Sequence, residues 1–438
     1  MKKTAKTPKT PKTPKTAKTA KTAKTPKTAK TAKTPKSAAI LAVLALAAAG
    51  CGSDGAGPTR TTPTGRASSG AAAAGGSWKL EYVDKTVDGE LTSVTASSAD
   101  DIWAAGYELR NGTMDDPGGQ FLVRYDGSGW QRQKVPAELD GNRFHPLLGS
   151  SGPDNVWLFG FGPRGGASAA RWDGTRWQRV PRPPLQGIVT EIKVFAPDDV
   201  WVVGGQKRLL HWDGARWNTH TLPAEPTALD GTSGDDLWAV GHRDSGSGVG
   251  GDGGELSQPA AMHWDGRTWT LTRTPEYRFP DPVPPEPGAS LDGVEVVSPT
   301  EVWAYGSHSF NHGEVEKEPS IEHILLRWDG SRWHRQKAAD RDPCLSRGIA
   351  AHGEDGGLLS GVRRYRTPEG RCLTPSWPKL PAKGEVTAGA KQQLWLDPIT
   401  PVPGTRKFVG VGKVYVLQRG ARTLTLPTVA TYEPPKGR

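Results

Sequence analysis

The stretch that decides the fold is residues 188–223, IVTEIKVFAPDDVWVVGGQKRLLHWDGARWNTHTLP. Apolar and polar residues alternate from Glu191 to Ala196, which is the period of a half-buried β-strand. Pro197 and Asp198 follow as a turn, and residues 200–204 form a continuous apolar run that is typical of a fully buried strand. Two more apolar runs flank an Asp-Gly pair. The stretch therefore predicts four short antiparallel strands.

The Asp-Gly pair at Asp213 predicts a hairpin between the third and fourth strands. A two-residue hairpin turn needs positive φ at both central residues, and Asp-Gly is one of the pairs preferred there. With that turn, Trp212 lies opposite Ala215 and Leu210 lies opposite Trp217.

This unit repeats along the chain. The second-strand tryptophan recurs, with a glycine three residues later, at Trp103, Trp157, Trp201, Trp238 and Trp303. The hairpin recurs as the aromatic pairs Tyr125/Trp130, Trp172/Trp177, Trp212/Trp217, Trp264/Trp269 and Trp328/Trp333. Five such copies exceed what composition alone would produce.

Two degenerate copies complete the series. Residues 355–361 align with the second strand, with Trp377 as a candidate last-strand tryptophan, and residues 408–412 form a seventh second strand. The chain ends on a third strand near Tyr432, and the missing fourth strand matches the segment around Trp78. We predict an all-β fold, a single seven-bladed β-propeller of four-stranded antiparallel blades over residues 77–438, closed by its N-terminal strand.

The best unit resembles the kelch repeat of the galactose-oxidase superfamily, with its Val-Trp-Val-Val-Gly-Gly strand followed by an aromatic residue and a tryptophan. Only Gly204-Gly205 keeps the double glycine, and the hairpin is one residue tighter than in kelch repeats. The turn is also similar to the Asp-box of sialidase-type propellers, one residue shorter. The resemblance implies a propeller, and propellers host both binding proteins and enzymes.

The repeated tryptophans and acids have a structural interpretation. We expect the tryptophans to pack between blades rather than to stack on a ligand. The acids Asp101, Asp199, Asp236 and Glu301 would invite a metal site, but their position beside tight turns favours a structural role.

The N-terminus predicts export and anchoring. Residues 1–36 are largely Lys-Thr-Ala and Lys-Thr-Pro triplets that cannot bury a core, so we expect a disordered leader there. Residues 37–49 form an apolar run of signal-peptide length. Small residues then precede Cys51, which resembles the lipobox of bacterial lipoproteins, although Ala48 stands where leucine is more usual. The resemblance implies residues 1–50 as signal peptide, with a long lysine-rich n-region, and acylation of Cys51. Residues 51–76 then form the lipidated cysteine and flexible tether, on the extracytoplasmic face of the membrane. The alternatives are an ordinary secretory signal with an incidental cysteine and, for the basic tract, a misassigned start codon or a binding tail for anionic polymers.

The net charge of +10 says little about the folded part. Residues 1–36 contain 13 lysines and no acid, so the rest of the chain has 43 basic and 46 acidic residues. The charge of the folded part therefore does not favour a nucleic-acid partner.

Two further cysteines, Cys344 and Cys372, suggest one disulfide in an exported chain. It would bracket the sixth unit, which lacks both the second-strand tryptophan and the Asp-Gly hairpin. Two free thiols, or a copper-type role, are the alternatives.

All long insertions lie between the second and third strands or between blades, and hence on one face of the ring. They are residues 107–120, 137–147, 242–259, 274–290 and 307–322. Binding residues usually lie on such loops, and the candidates are His242, Arg243, Tyr277, Arg278, His308, Asn311, His312, Glu314 and Glu316. The histidines and acids of residues 308–316 could hold zinc, but without fixed spacing a solvated loop is the preferred interpretation, and no cofactor is expected.

The sequence contains no catalytic motif. We expect a monomeric, membrane-anchored propeller that binds a protein or glycan. The alternatives are a carbohydrate-active or oxidase enzyme on the same scaffold, and an envelope assembly scaffold without a small ligand.

Overall fold

The computed structural model describes residues 74–110, 117–137, 139, 146–161, 166–185, 189–245, 256–281, 283–311, 319–336, 344–345 and 349–436. All described strands lie in the unit Ser69–Arg438. This part of the chain contains 29 β-strands. A search of the same residues found no helix with the length and apolar character needed to cross a bilayer.

The strands form seven blades, numbered here in chain order. Two N-terminal strands, β1 (Ala74–Ser77) and β2 (Lys79–Val83), precede them. Blade 1 contains β3 (Gly89–Ser98), β4 (Asp101–Leu109), β5 (Pro117–Tyr125) and β6 (Trp130–Gln133). Blade 2 contains β7 (Leu147–Gly152), β8 (Asn155–Phe161), β9 (Ala167–Trp172) and β10 (Trp177–Arg179). Blade 3 contains β11 (Glu191–Ala196), β12 (Asp199–Val203), β13 (Arg208–Trp212) and β14 (Trp217–Thr221).

The second half follows the same order. Blade 4 contains β15 (Glu225–Ser233), β16 (Asp236–Asp244), β17 (Ser257–Trp264) and β18 (Trp269–Thr272). Blade 5 contains β19 (Gly288–Ser298), β20 (Glu301–Ser309), β21 (Glu322–Trp328) and β22 (Trp333–Arg335). Blade 6 contains β23 (Ala351–His352), β24 (Leu358–Ser360), β25 (Arg364–Arg366) and β26 (Cys372–Ser376). Blade 7 contains β27 (Lys391–Pro401), β28 (Phe408–Leu417) and β29 (Leu424–Tyr432).

Blade 7 takes its fourth strand from the N-terminus, as predicted. β2 pairs antiparallel with β29, with Lys79 opposite Thr431 and Val83 opposite Thr428. The first strands of consecutive blades contact one another in a closed cycle that runs from β3 through β27 and back to β3. The described residues therefore form a closed seven-bladed β-propeller, which confirms the predicted fold class.

The second strand of each blade is apolar on both faces because both faces are buried between neighbouring blades. In β12, Val200 and Val202 join a core cluster with Trp157 of blade 2. Trp201 and Val203, on the opposite face, join a cluster with blade 4. This double burial explains why the strand is a continuous apolar run and lacks alternation.

The tryptophans pack between blades, as expected. In blades 1 to 4 the second-strand tryptophan contacts the hairpin aromatic pair of the next blade: Trp103 with Trp172 and Trp177, Trp157 with Trp212 and Trp217, Trp201 with Trp264 and Trp269, and Trp238 with Trp328 and Trp333. Ring centroids lie 5.0–6.2 Å apart in tilted or edge-on geometry, which adds attraction beyond the area that the rings bury.

The predicted hairpin register is wrong. Trp212 lies opposite Trp217 rather than Ala215, and Leu210 lies opposite Thr219. The loop has four residues, because the Asp213 carboxylate accepts hydrogen bonds from the backbone N–H groups of Ala215 and Arg216. Gly214 adopts a φ of 89° while Asp213 does not need positive φ. The longer loop places both tryptophans on one face, where the preceding blade covers them.

Blade 6 replaces the missing hairpin aromatics with a disulfide. Cys344 and Cys372 are bonded, with Cα atoms 5.5 Å apart, which confirms the predicted bridge. Trp303 of blade 5 would otherwise meet a tryptophan pair, and it instead packs in a cluster with Cys344, Leu345 and Leu358. Trp377 lies just beyond β26 and packs at the edge of the blade 6–7 core. The cystine therefore fills interblade space as well as crosslinking the chain.

The N-terminal strand β1 adds a feature that the sequence did not predict. It pairs in parallel with β26 and makes blade 6 five-stranded. Gly75 allows this close approach, since a Cβ there would lie 2.5 Å from the backbone carbon of Thr374. The N-terminal segment therefore joins the outer edges of blades 6 and 7.

Candidate binding face

The two faces of the ring differ in what their turns do. We call the end formed by the first-to-second and third-to-fourth strand turns the tight-turn face. The opposite end, formed by the second-to-third strand loops and the links between blades, is the long-loop face.

The Asp-Gly turns of the tight-turn face satisfy their own polar groups. Asp213 Oδ1 accepts from Ala215 N at 3.0 Å and Arg216 N at 2.9 Å, and Oδ2 accepts from Asn218 Nδ2 at 2.8 Å. The hydrogen bond from Asn218, followed by those from the backbone, lowers the pKa of Asp213. Asp126, Asp173, Asp265 and Asp329 make the same backbone contacts two and three residues along. These acids hold turns and leave few oxygens for a ligand.

A second set of acids is also committed internally. Asp199, at the start of β12, accepts from Trp201 Nε1 at 2.8 Å and lies 2.9 Å from His211 Nε2. The His211 ring in turn stacks on Trp201 at 4.2 Å. The corresponding acid-or-amide and base pairs are Asp101/Arg124, Asn155/Arg171, Asp236/His263 and Glu301/Arg327.

These pairs support the structural interpretation of the repeated acids. The bases were missed, although the sequence carries a signal for them: an arginine or histidine directly precedes the first hairpin aromatic in all five clear copies.

Some of the exposed large apolar side chains lie at the long-loop face. Among the described residues, five large apolar side chains are exposed, and three of them, Leu256, Ile321 and Leu417, border second-to-third strand loops. Leu417 also lines a shallow groove of about 380 Å³ formed by residues 387–391 and 417–419. The three side chains belong to the loops of blades 4, 5 and 7, and we take this face as the candidate contact surface.

The structure brings some predicted site residues together between blades 4 and 5. His308 is 1% exposed, stacks on Phe279 at 3.8 Å and meets the Tyr277 ring edge-on at 5.8 Å. The Phe310 ring meets Phe279 edge-on at 5.4 Å. His308 is therefore part of a buried aromatic floor and does not project from a loop.

A charged pair covers this floor. The Arg335 guanidinium lies 4.2 Å from the centre of the Tyr277 ring and contacts Glu322. Glu322 Oε2 in turn lies 3.5 Å from His308 Nδ1. Burial raises the pKa of Tyr277 to about 12. Gln258 fixes the Tyr277 backbone, since its side-chain amide donates to Tyr277 O and accepts from Tyr277 N, each at 2.8 Å.

The remaining candidate residues lie near this aromatic floor or outside the residues that the structure describes. Glu276 joins Arg243 at 3.6 Å and Arg278 at 3.4 Å. Asn311 is exposed and donates its N–H to Pro285 O, and His242 is half-buried near the end of β16. His312, Glu314, Glu316 and Cys51 lie outside the described residues.

The described residues contain no group of three or more His, Cys, Asp or Glu side chains arranged to hold a metal ion. The postulated His308/His312 site falls partly outside them. Among the described residues, His308 stacks on the Phe279 ring and contacts Glu322.

The inner strands carry a charged cluster that the sequence analysis missed. Lys193 contacts Asp230, and Asp230 Oδ2 accepts from Val296 N at 2.7 Å. Glu295 Oε1 accepts from His352 N at 3.2 Å. Burial, and then the charge of Asp230, raise the pKa of Glu295 to about 8.

The cluster continues around the ring axis. Burial raises the pKa of Glu191 to about 7 and also raises those of Asp292 and Asp397. Between blades 7 and 1, Lys413 Nζ lies 2.7 Å from Glu90, and Trp395 is 57% exposed on β27 of blade 7. The sequence signal was the set of polar positions that alternate with core residues in a first strand such as EIKVFA of β11.

The sequence matches no protein-family model and no curated protein. Its fold is similar to that of solved structures. YCF48 from Cyanidioschyzon merolae is 11% identical, with a TM-score of 0.45, over 82% of this chain and 99% of that one. The WD40 β-propeller domain of Doa1 is 11% identical, with a TM-score of 0.43, over 81% and 96%. The fucose-specific lectin from Aleuria aurantia is 9% identical, with a TM-score of 0.34, over 82% and 100%. These likenesses concern the fold alone.

Proposed function

We propose that this chain is an extracytoplasmic, membrane-anchored lipoprotein whose kelch-like propeller binds a protein or glycan through its long-loop face. The observation that carries the proposal is the unequal use of the two faces. The tight-turn face repeats one self-satisfied turn, whereas the long-loop face holds every long insertion and three exposed apolar side chains.

The physical argument concerns which groups remain available. An acid whose oxygens already accept backbone hydrogen bonds gains little from a ligand, because an existing bond must be exchanged for each new one. An exposed leucine or isoleucine gains the free energy of leaving water whenever a partner covers it. Contact at the long-loop face is therefore the more favourable.

The anchoring part rests on the sequence before the propeller. The apolar run of residues 37–49 and the small residues before Cys51 support export and acylation. Changing Cys51→Ser should move the protein from the membrane fraction to the soluble fraction. A Cys51→Ser protein that stays in the membrane fraction would contradict the lipid anchor.

Binding through the long-loop face can be tested by replacing exposed apolar side chains with aspartate. The triple variant Leu256→Asp, Ile321→Asp and Leu417→Asp places charges on the long-loop face at side chains that are 38–50% exposed. Leu271→Asp is the control, since Leu271 is 43% exposed on the outer strand β18.

We expect the triple variant to lose capture of partners from envelope extracts and signals on a glycan array, with a melting temperature close to that of the unmodified protein. The Leu271→Asp variant should keep both. Equal binding by the triple variant would refute the assignment of the face, and no binding by any form would favour an assembly scaffold.

A further inference from the structure

Trp395 is the one tryptophan that the packing between blades does not use. All 17 tryptophans lie in the described part of the chain, and among them only Trp395 is exposed. Its Nε1 donates to Gln393 Oε1 of the same strand at 3.3 Å, which holds the ring beside β27 while more than half of the side chain stays in water. The position of this ring therefore needs an explanation other than core packing.

Trp395 belongs to a row of exposed side chains on β27, the inner strand of blade 7. The exposed residues stand at alternate positions, and the leucines between them are buried in the core of blades 6 and 7. The row consists of Lys391, Gln393, Trp395 and Asp397. Because alternate side chains of a strand point to the same face, this face presents a cation, an amide, an indole ring and a carboxyl group along about 20 Å.

The row extends beyond the neighbouring blade at the long-loop end. Leu396 of β27 lies opposite Gly412. Leu91 of β3 lies opposite Gly106, the equivalent glycine in the second strand of blade 1. β27 begins five residues before Leu396, whereas β3 begins two residues before Leu91, so blade 7 extends about 10 Å farther. The first strand of blade 1 therefore does not cover the Lys391 end of the row.

Two cations at this end are free to pair with a ligand. Lys413 of the same blade is paired with Glu90, and Arg422 is held by two acids. Lys391 and Arg419, by contrast, are exposed and form no ion pair with any residue that the structure describes. Both line the shallow groove of about 380 Å³, which continues the row beyond Lys391. The charge of the groove therefore favours an anionic ligand.

We infer that this row and groove bind an acidic oligosaccharide, that is, a chain of sugar rings that carries carboxylate groups. The inference rests on the long-loop binding of the proposed function and names its ligand class. The face of the Trp395 indole carries partial negative charge and attracts the C–H groups on the flat side of a pyranose ring. Gln393 and Asp397 hydrogen-bond to sugar hydroxyl groups on either side of the ring. Lys391 and Arg419 pair with the carboxylates.

The dimensions of the row favour an oligosaccharide over a protein surface. A row about 20 Å long, on strands about 5 Å apart, has an area on the order of 100–200 Å². A stable protein interface buries about 800 Å² on each partner. A short chain of sugar rings fits a strip of this width. An acidic peptide is the competing ligand of the same charge, and the experiment below separates the two.

The test uses an array of hexuronate and sialate oligosaccharides in which each ligand has a carboxyl-reduced, neutral counterpart. Full-length protein in detergent is applied to the array, together with a polyglutamate peptide as a competitor. The oligosaccharide that binds best is then titrated by calorimetry against the unmodified protein, Trp395→Ala and Lys391→Gln. Lys407→Gln is the matched control, because Lys407 is exposed at the opposite end of blade 7 and its substitution removes the same charge.

We expect Trp395→Ala to weaken binding of the carboxylated ligand about ten-fold, as is typical of an aromatic anchor, with an unchanged melting temperature. Lys391→Gln should weaken binding of the same ligand about three-fold and leave binding of the neutral counterpart unaffected. Lys407→Gln should bind both ligands like the unmodified protein.

Unchanged binding by Trp395→Ala and Lys391→Gln would overturn the assignment to this row, and equal binding of the carboxyl-reduced ligands would overturn the role of charge. If no carboxylated oligosaccharide binds, or if polyglutamate binds more tightly, the ligand class is wrong. The proposed function would survive that result if the Leu256→Asp, Ile321→Asp and Leu417→Asp protein still loses a partner that the unmodified protein captures. The two failures are therefore distinguishable.

Discussion

Replacement of Trp78 by alanine should open the ring at its seam. Trp78 precedes the closing strand β2, is 1% exposed and packs on the Tyr432 ring at 5.4 Å. Its Nε1 donates to Val362 O of blade 6 at 2.9 Å. One side chain therefore joins the N-terminal segment to blades 6 and 7.

The expected loss of stability follows from burial. Truncation of a fully buried tryptophan to alanine costs about 3–5 kcal/mol, and the carbonyl of Val362 also loses its donor. We therefore expect the Trp78→Ala protein to unfold with a free energy lower by about 4 kcal/mol.

Urea denaturation followed by circular dichroism measures this difference, and Trp395→Ala is the matched control. Trp395 is 57% exposed and donates only to Gln393 of its own strand, so its truncation should change stability by less than about 0.5 kcal/mol. Similar losses in the two variants would refute the account of the seam.

Three further outcomes are expected. Replacing Cys344 and Cys372 by serine should lower the free energy of unfolding by about 3 kcal/mol, because the bridge closes a loop of 28 residues. Amide hydrogen exchange should then rise first in blade 6. A uniform rise over all blades would contradict this. The Asp199→Ala protein should unfold with a free energy lower by about 1–3 kcal/mol, since Trp201 loses its half-buried acceptor and His211 loses its partner; urea denaturation would measure this. The raised pKa of Glu295, about 8, means that the folded state keeps a proton that the unfolded state releases near pH 4.5, so stability falls as pH rises from about 4.5 to 8. The Glu295→Gln protein should gain stability over the unmodified protein across that range, by about 1–2 kcal/mol at pH 8 after allowance for solvent at the ring axis, and an advantage that is the same at pH 5 and pH 8 would disprove it.

Strand order and blade count were predictable because they depend on local patterns. The apolar run at Val200, the Asp-Gly turns and the final strand at Tyr432 each report on their own neighbours in sequence. The register of the hairpin was not predictable from the preference of Asp-Gly for two-residue turns. It depends on the side-chain hydrogen bonds of Asp213 and on the preceding blade, which covers Trp212 and Trp217 together.

Candidate site residues were less predictable than strands. His308 was selected because it belongs to a polar loop sequence, yet the end of β20 carries it into the interblade core beside Phe279. Arg335, which lies over the neighbouring Tyr277 ring, was not selected, since it lies 27 positions away from His308 on the outer strand. Short polar runs show where a loop begins but not which side chains face water.

By itself, the sequence of residues 188–223 determined the four-stranded unit, and its recurrence determined a ring that the segment at Trp78 closes. Only the tertiary structure decided that β1 pairs with the outer strand of blade 6. It also decided that the cystine packs where other blades have a tryptophan pair, and that carboxylates lie close together at the ring axis. The physical reason is the range of the interactions. Periodicity and turn chemistry act within a few residues, whereas packing between blades joins residues that lie tens to hundreds of positions apart.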